Sequence, residues 1–196
     1  MTWLIIALVV IVAVGPVMYL LPSKRDKRLA GLREEARKTG LNIRITHVPK
    51  LDPSGTERVN ASGQRLEPKT SCVAYGRAVR VNLMPFRDLL LLKLPAQPTV
   101  PYSLAIDGWA LGLGVDGASS AELDLVANHR LLQGLAPLLA KFPEDTLGVE
   151  ITNRHIACLW RERAEPDSGV VADLSAVCQD IEQLLKAHVQ RAAAEE

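Results

Sequence analysis

Residues 107–120 read DGWALGLGVDGASS, and within them Gly112, Gly114 and Gly117 spell GxGxxG, the spacing by which dinucleotide-binding proteins hold a pyrophosphate. The two readings of this stretch lead to different folds. A dinucleotide fingerprint needs a strand that ends before the first glycine and a helix that opens near the second, inside a parallel βαβ unit. Here Trp109, Leu111, Leu113 and Val115 alternate through the motif with Gly108, Ala110, Gly112, Gly114 and Asp116. A period of two running across the glycines is a strand pattern. The predicted helix cap comes later, at Ser119 or Ser120. The acidic residue expected about 20 positions on finds only the helix end at residues 141–144, while Glu150 lies on a predicted hairpin strand. The stretch therefore reads as a strand, Trp109 to Val115, that leads through Asp116-Gly117 into a helix. No cofactor is expected. Its small-residue face admits the close approach of a helix or backbone, from this chain or from a partner.

Upstream, LNIRITHV sets Leu41, Ile43 and Ile45 against Asn42, Arg44 and Thr46, a strand with one buried face. Residues 49–69 are dense in Pro, Gly, Ser and charge and read as a flexible loop. SCVAYGRAVRVNL and RDLLLLKLP follow as strands, although four consecutive leucines, Leu89 to Leu92, also fit a helical turn. SLAIDGWALGLGV is a further strand candidate. No helical pattern separates these segments as βαβ units would require, so the sheet is expected to be antiparallel.

Downstream, Ser119 and Glu122 form a capping box for a helical stretch reaching Phe142, which Gly134 and Pro137 are expected to break. GVEITNRHIACLWRE reads as a hairpin turning at Asn153-Arg154, with Ile156, Cys158 and Trp160 on one face. Val170, Leu174, Val177, Ile181, Leu184 and His188 recur at three and four in a C-terminal helix whose QRAAAEE tail is expected to fray. The fold class is α+β: one two-layer domain, mainly antiparallel sheet with helices packed on it, spanning residues 41–196.

The N-terminus is of another kind. The first 22 residues, MTWLIIALVVIVAVGPVMYLLP, carry no charged side chain, enough apolar length for one transmembrane helix over residues 2–21. Lys24, Arg25, Lys27 and Arg28 follow it on a basic juxtamembrane helix, residues 23–40, capped by Ser23 with Asp26 and ended by Gly40. The positive-inside rule then places the N-terminus outside and the domain in the cytoplasm of a bacterial inner membrane. The basic run can also meet anionic lipid headgroups. Cys72, Cys158 and Cys178, odd in number and without metal-ligand spacing, suit a reducing compartment.

Little in the chain points to catalysis. The formal net charge of +1 and 4% aromatic content give no footprint for nucleic acid. His47, His129, His155 and His188 show no HxxxH or HExxH spacing, and neither GxSxG, a Walker loop nor CxxC occurs. No metal site, cofactor or enzyme activity is expected. The candidate partner surface is the small face with Gly108, Gly112 and Gly114, together with Arg161 and Arg163 at a charged strand end.

The apolar span running into LLPSKRDKR resembles the small single-pass accessory subunit of the bacterial Sec preprotein translocase. That resemblance covers about the first 30 residues. The family's cytoplasmic part is much shorter, and nothing in residues 41–196 matches it. In layout alone the chain is similar to bipartite membrane-anchored cell-division adaptors, without their long Pro/Gln-rich linker. Neither likeness supplies site residues. The expected function is a non-enzymatic adaptor that presents an α+β domain to a protein partner. The alternatives are a membrane-tethered sensor of a small molecule or lipid headgroup and an accessory subunit of the translocase.

Overall fold

A computed structural model describes Trp3 and residues 23–79, 88–112, 129–162 and 169–195. The chain divides into two compact units, Met1–Glu34 and Glu35–Glu196. In the first, Ser23 opens helix α1 (Lys24–Lys38). Ser23 Oγ accepts the Asp26 N–H at 3.2 Å and Asp26 Oδ2 accepts the Ser23 N–H at 3.0 Å, a reciprocal capping box with aspartate at its third position. The Ser23 hydroxyl also donates to Asp26 Oδ2 at 2.7 Å, and with the Ser23 N–H it holds the Asp26 carboxyl below its ordinary value. Among the described residues no helix is long and apolar enough to cross a membrane. The span predicted over residues 2–21 lies outside them apart from Trp3.

In the second unit α1 stops where predicted. Gly40 takes φ +79°, and the Gly40 and Leu41 amides return to the Arg37 and Ala36 carbonyls at 3.1 and 2.8 Å. The chain then lays down β1 (Asn42–Pro49), β2 (Lys69–Ala78), β3 (Leu89–Lys93), β4 (Ser103–Ile106) and β5 (Trp109–Leu111). Helix α2 (His129–Leu139), the hairpin β6 (Thr146–Ile151) and β7 (His155–Trp160), and helix α3 (Val170–Glu195) complete it. Among the described residues the strands form one seven-stranded sheet in the order β1-β2-β7-β6-β3-β5-β4, with every neighbour pair antiparallel. The fold is α+β, with an antiparallel sheet and helices on it.

Register assigns the faces. Val73, Tyr75, Ile156, Cys158, Trp160, Val149, Ile151, Leu89 and Leu91 share one side, where α3 packs on β2 and β7 and α2 packs on α3. The Tyr75 and Trp160 rings meet here at 5.6 Å, tilted by 60°, an arrangement worth about 0.5–1.5 kcal/mol beyond burial. On the other side Val48, Cys72, Ala74, Leu90, Leu92, Ala157 and Leu159 form a second apolar cluster, with Leu51 and Leu147 packed on it. The four leucines of β3 show no period because both of their faces are buried, which settles them as strand.

Several expectations are corrected. SLAIDGWALGLGV is not one strand: Ile106 pairs with Trp109 across a tight Asp107-Gly108 turn, with Gly108 at φ +76°. An Asp-Gly pair is a strong hairpin signal, and here it overrides the alternation on either side. In β1 Ile45 is 69% exposed rather than buried, because β1 is the sheet's edge and the helix layer does not cover it; Val48, on the opposite face, is buried instead. Gly134 and Pro137 do not break α2. Pro137 falls in the last turn, where its missing N–H removes a single helical bond. Gly134 makes room for α3, since a Cβ there would lie 2.5 Å from Leu184 Cδ1. The buried stripe of α3 is Val171, Leu174, Val177, Cys178, Ile181 and Leu185, rotated slightly from the predicted one, and the helix runs through Glu195. The predicted capping box at Ser119 lies outside the described residues, as do Val81 and Leu83.

Candidate functional site

On the sheet face opposite α2 and α3, three strands in from the edge, Glu150 sits on β6 with its side chain 5% exposed. A buried carboxylate needs partners. Arg44 reaches it from β1, with Nη2 donating to Oε2 at 2.8 Å across β2 and β7. Three strand spacings are about 14 Å, so the arginine must lie flat along the sheet. The floor beneath this path allows it: Ala74, Gly76 and Ala157 carry nothing taller than a methyl. Gly76 is confined too, because a Cβ there would stand 3.2 Å from the Ala157 Cβ.

His155 Nε2 lies 3.4 Å from the same Oε2, at ion-pair range though not aligned as a hydrogen bond. Desolvation is the largest influence on Glu150 and pushes its carboxyl up, but His155 and Arg44 together outweigh it and leave the group below its ordinary value. Its second oxygen, Oε1, has no hydrogen-bond partner.

Thr152 completes the constellation, with Oγ1 at 3.1 Å from His155 Nδ1. Carboxylate, imidazole and hydroxyl in that order have the composition of an activated-nucleophile triad. The hydroxyl is engaged differently. Thr152 is buried, and its Oγ1 accepts the Arg154 and His155 amides at 3.2 and 2.9 Å. These are the bonds of the β6–β7 turn, so Thr152 holds the hairpin and thereby the His155 ring.

Beside Arg44 the sheet surface dips into a pocket of about 210 Å³ lined by Asn42, Arg44, Ala74, Gly76, Arg77, Ala78, His155 and Ala157. Arg44 brings a guanidinium to its rim and His155 an imidazole, whereas Arg77, opposite Ile156 in the register, turns its side chain to the other face of the sheet. Arg77 is held from the helix layer: Nη1 donates to Ser175 Oγ at 3.3 Å, and the Gln179 carboxamide, turned with its oxygen inward, accepts at 2.8 Å. A larger cleft of about 610 Å³ lies under the 49–69 segment, between Leu51, Leu66 and Pro68 on one side and Leu92, Tyr102 and Leu111 on the other. That segment is irregular apart from one 3-10 turn (Gly55–Arg58) and an isolated antiparallel bridge between Val59 and Arg65. It is tied to the rest of the unit where Arg58 Nη2 donates to the Thr99 carbonyl at 2.7 Å and the Thr99 amide donates to the Leu51 carbonyl at 2.9 Å.

The residues singled out in sequence do not gather at one place. Gly108 forms the exposed hairpin turn. Gly112 is buried, and a Cβ on it would meet Leu90 Cδ2 at 2.8 Å, so the close approach at this glycine comes from the chain's own β3. Arg161 lines a separate cleft with Glu144 and Asp145, its amide donating to the Asp145 carbonyl at 3.3 Å. Gly114, Gly117 and Arg163 lie outside the described residues. Lys24, Arg25 and Lys27 are exposed on α1 and Arg28 is half-buried. Sequence reading missed Arg44 and Glu150, which are 106 positions apart and each look like the polar phase of an ordinary strand. Their one local signal was a charge on the small-residue phase of a strand.

The three thiols are free and buried. Burial raises all of them, Cys72 to about 11 and Cys178 to about 12, with Cys158 raised further. Among the described residues no group of His, Cys, Asp and Glu is arranged to hold a metal ion. No protein-family model, curated protein or solved structure matches this chain.

Proposed function

We propose that this chain is a single-pass inner-membrane adaptor, anchored by residues 1–22 with its α+β domain in the cytoplasm, and that the domain receives an extended segment of a partner protein along β1. The observation that carries this reading is the contrast between the two sheet edges. Proteins blunt exposed edges with short strands, bulges and prolines. The β4 edge is four residues long and carries a register shift between Leu104 and Ile106. β1 is eight residues long, pairs with β2 without a bulge, and keeps its only proline at its last position. It presents Ile45 to solvent and, among the described residues, has a strand neighbour on one side only, the arrangement that strand addition uses.

The test is a photocrosslinking residue at Ile45 in the full-length membrane protein, with Leu104 on the opposite edge as the control position. A discrete adduct from position 45 and none from position 104 is the expected result. No adduct at either position sinks the adaptor reading. Adducts only to a second copy replace it with self-assembly.

A second reading, a tethered sensor of a small molecule or headgroup, is favoured by the small pocket beside Arg44. Ligand binding there raises apparent stability by mass action. The juxtamembrane cations Lys24, Arg25, Lys27 and Arg28 serve either reading by fixing orientation and meeting anionic lipid.

A further inference from the structure

We infer that the segment received along β1 is an acid-flanked strand, apolar at alternate positions, with a carboxylate at either end and no proline where it bonds to Ile43, Ile45 and His47. This rests on the adaptor reading and names the chemistry of the partner at that same edge. Backbone phase, side chains and charge each supply a part.

The phase comes from one hydrogen bond. The Lys50 amide donates to the Pro68 carbonyl at 2.9 Å, one step beyond the Pro49–Lys69 pair of the β1–β2 register. In an antiparallel ladder, residues turn their N–H and C=O groups alternately toward and away from the neighbouring strand. Val48, Thr46, Arg44 and Asn42 therefore bond to β2, and His47, Ile45 and Ile43 turn both groups outward. The far side of β2 agrees. The Val79 amide donates to the Arg154 carbonyl at 2.8 Å, which turns the odd-numbered residues of β2 to β7 and leaves the even-numbered ones for β1. Among the described residues no strand lies beyond β1. Pro49 does not interrupt the outward row, because it follows His47 and still offers a carbonyl.

The side chains set the pattern. Ile43 and Ile45 stand opposite Tyr75 and Val73 in the register, so they project on the side of the sheet that carries the helices, yet Ile45 is 69% exposed. A guest residue paired with Ile45 projects on that same side, and a β-branched apolar residue there covers it. The guest positions between fall on the other side, level with Arg44 and Thr46. The Arg44 guanidinium is already engaged by Glu150, so these positions need only be polar.

Charge sets the flanks. Neither β1 nor β2 contains an acidic residue. Arg37 lies where α1 hands over to β1, and Lys69 stands opposite Pro49 at the strand's far end. Both are exposed, and neither has a carboxylate partner among the described residues. The eight residues of β1 run about 23 Å, so a guest of matching length meets a cation near each end. A second copy of the chain is a poor guest. Whichever way it ran, its own Arg37 and Lys69 would come up against like charge, which strand pairing and interfaces both penalise.

The experiment uses the full chain in detergent micelles and fluorescein-labelled, C-terminally amidated heptapeptides, read by anisotropy. EVTVTVE carries the inferred pattern, KVTVTVK reverses the flanks, and EVTPTVE puts proline where the guest bonds to Ile45. EVTVTVE is expected to bind, to weaken as salt rises, and to bind at least about tenfold more tightly than either of the others. His47→Pro removes an outward N–H and leaves the β2 ladder whole. It is expected to keep the parent melting temperature and to weaken EVTVTVE binding about tenfold relative to His47→Ala. Thr46→Pro removes a bond to β2 and is expected to lower the melting temperature. Hydrogen exchange resolved to single amides checks the phase without any peptide, with Ile43, Ile45 and His47 exchanging fast and Arg44 and Thr46 slowly. No binding of EVTVTVE, equal binding of KVTVTVK or EVTPTVE, or the reverse exchange pattern overturns the inference. An Ile45 adduct in the membrane together with any of those results leaves the adaptor reading standing and removes the acid-flanked segment. Absence of the adduct removes the adaptor reading itself, so the two failures are told apart.

Discussion

A Cβ placed on Gly148 would lie 2.7 Å from the backbone carbonyl oxygen of Leu91 on the neighbouring strand. The obstacle is main chain in the middle of a ladder, not the tip of a side chain that can rotate away. Gly148→Ala is therefore expected to destabilise the domain by about 1–3 kcal/mol, as overpacking does. Chemical denaturation of the full chain should show a lower midpoint at an unchanged slope. Parent-like stability would mean that β3 and β6 are not as close as described.

The ion pair across the sheet is asymmetric in exposure, with Arg44 at 49% and Glu150 at 5%. Losing the carboxylate leaves a guanidinium that water can reach, while losing the guanidinium leaves a buried, under-partnered charge. Arg44→Ala is accordingly expected to cost about 1–3 kcal/mol and Glu150→Gln less. The Arg44→Ala/Glu150→Gln double variant should recover part of the Arg44→Ala loss. An additive double variant would show that the two residues do not act on each other.

The same pair sets a pH dependence. Glu150 is held below its ordinary value of 4.5, so its contribution to stability is complete above about pH 4.5 and is lost as pH falls through the lowered folded value. Removing Arg44 takes away part of what lowers it, and burial then pushes it up. In Arg44→Ala the acid loss of stability should begin at higher pH than in the parent. Melting temperatures measured across the acid range for both proteins check this; superimposable profiles would count against it.

Thiolate is the reactive form of cysteine, and burial holds all three thiols far from it, with Cys72 at about 11 and Cys178 at about 12. The folded chain at pH 8 should give almost no reaction with a thiol-specific chromogen over minutes. Denaturant should release three equivalents, the number of cysteines in the chain. Fast labelling in the native state would place at least one thiol at the surface.

The proposed anchor predicts an orientation. A reporter fused after Glu196 should behave as cytoplasmic, and neutralising Lys24, Arg25, Lys27 and Arg28 together should weaken that preference. A periplasmic signal from the unmodified chain would overturn both the orientation and the reducing surroundings inferred for the cysteines.

What could be read in advance follows from how local each signal is. The hairpin at Asn153-Arg154, the α1 cap at Ser23 and the stop at Gly40 depend on neighbours within a few positions, and each is where the sequence places it. The strand face of Ile45 was misassigned because alternation says which residues share a face, not which face is covered, and coverage at an edge is decided by distant helices. Gly134 illustrates the same limit, since its space is set by Leu184, 50 positions away. The Arg44–Glu150 pair could not be found from spacing at all. It exists only because β7 and β6 insert between the early strands and carry Glu150 to within reach of β1.

That strand order also has a consequence for how the protein is made. β2 and β3 are synthesised early, yet each takes a neighbour from the hairpin at residues 146–160, so the centre of the sheet is translated after both of its flanks. Until the ribosome has passed Trp160, the nascent chain carries two open strand edges and an incomplete apolar layer, the condition in which chains aggregate or recruit chaperones. Pairings this far apart in sequence also fold slowly once complete. The domain is thus committed to folding late, near or after release, and early truncation should yield insoluble fragments rather than a smaller stable sheet.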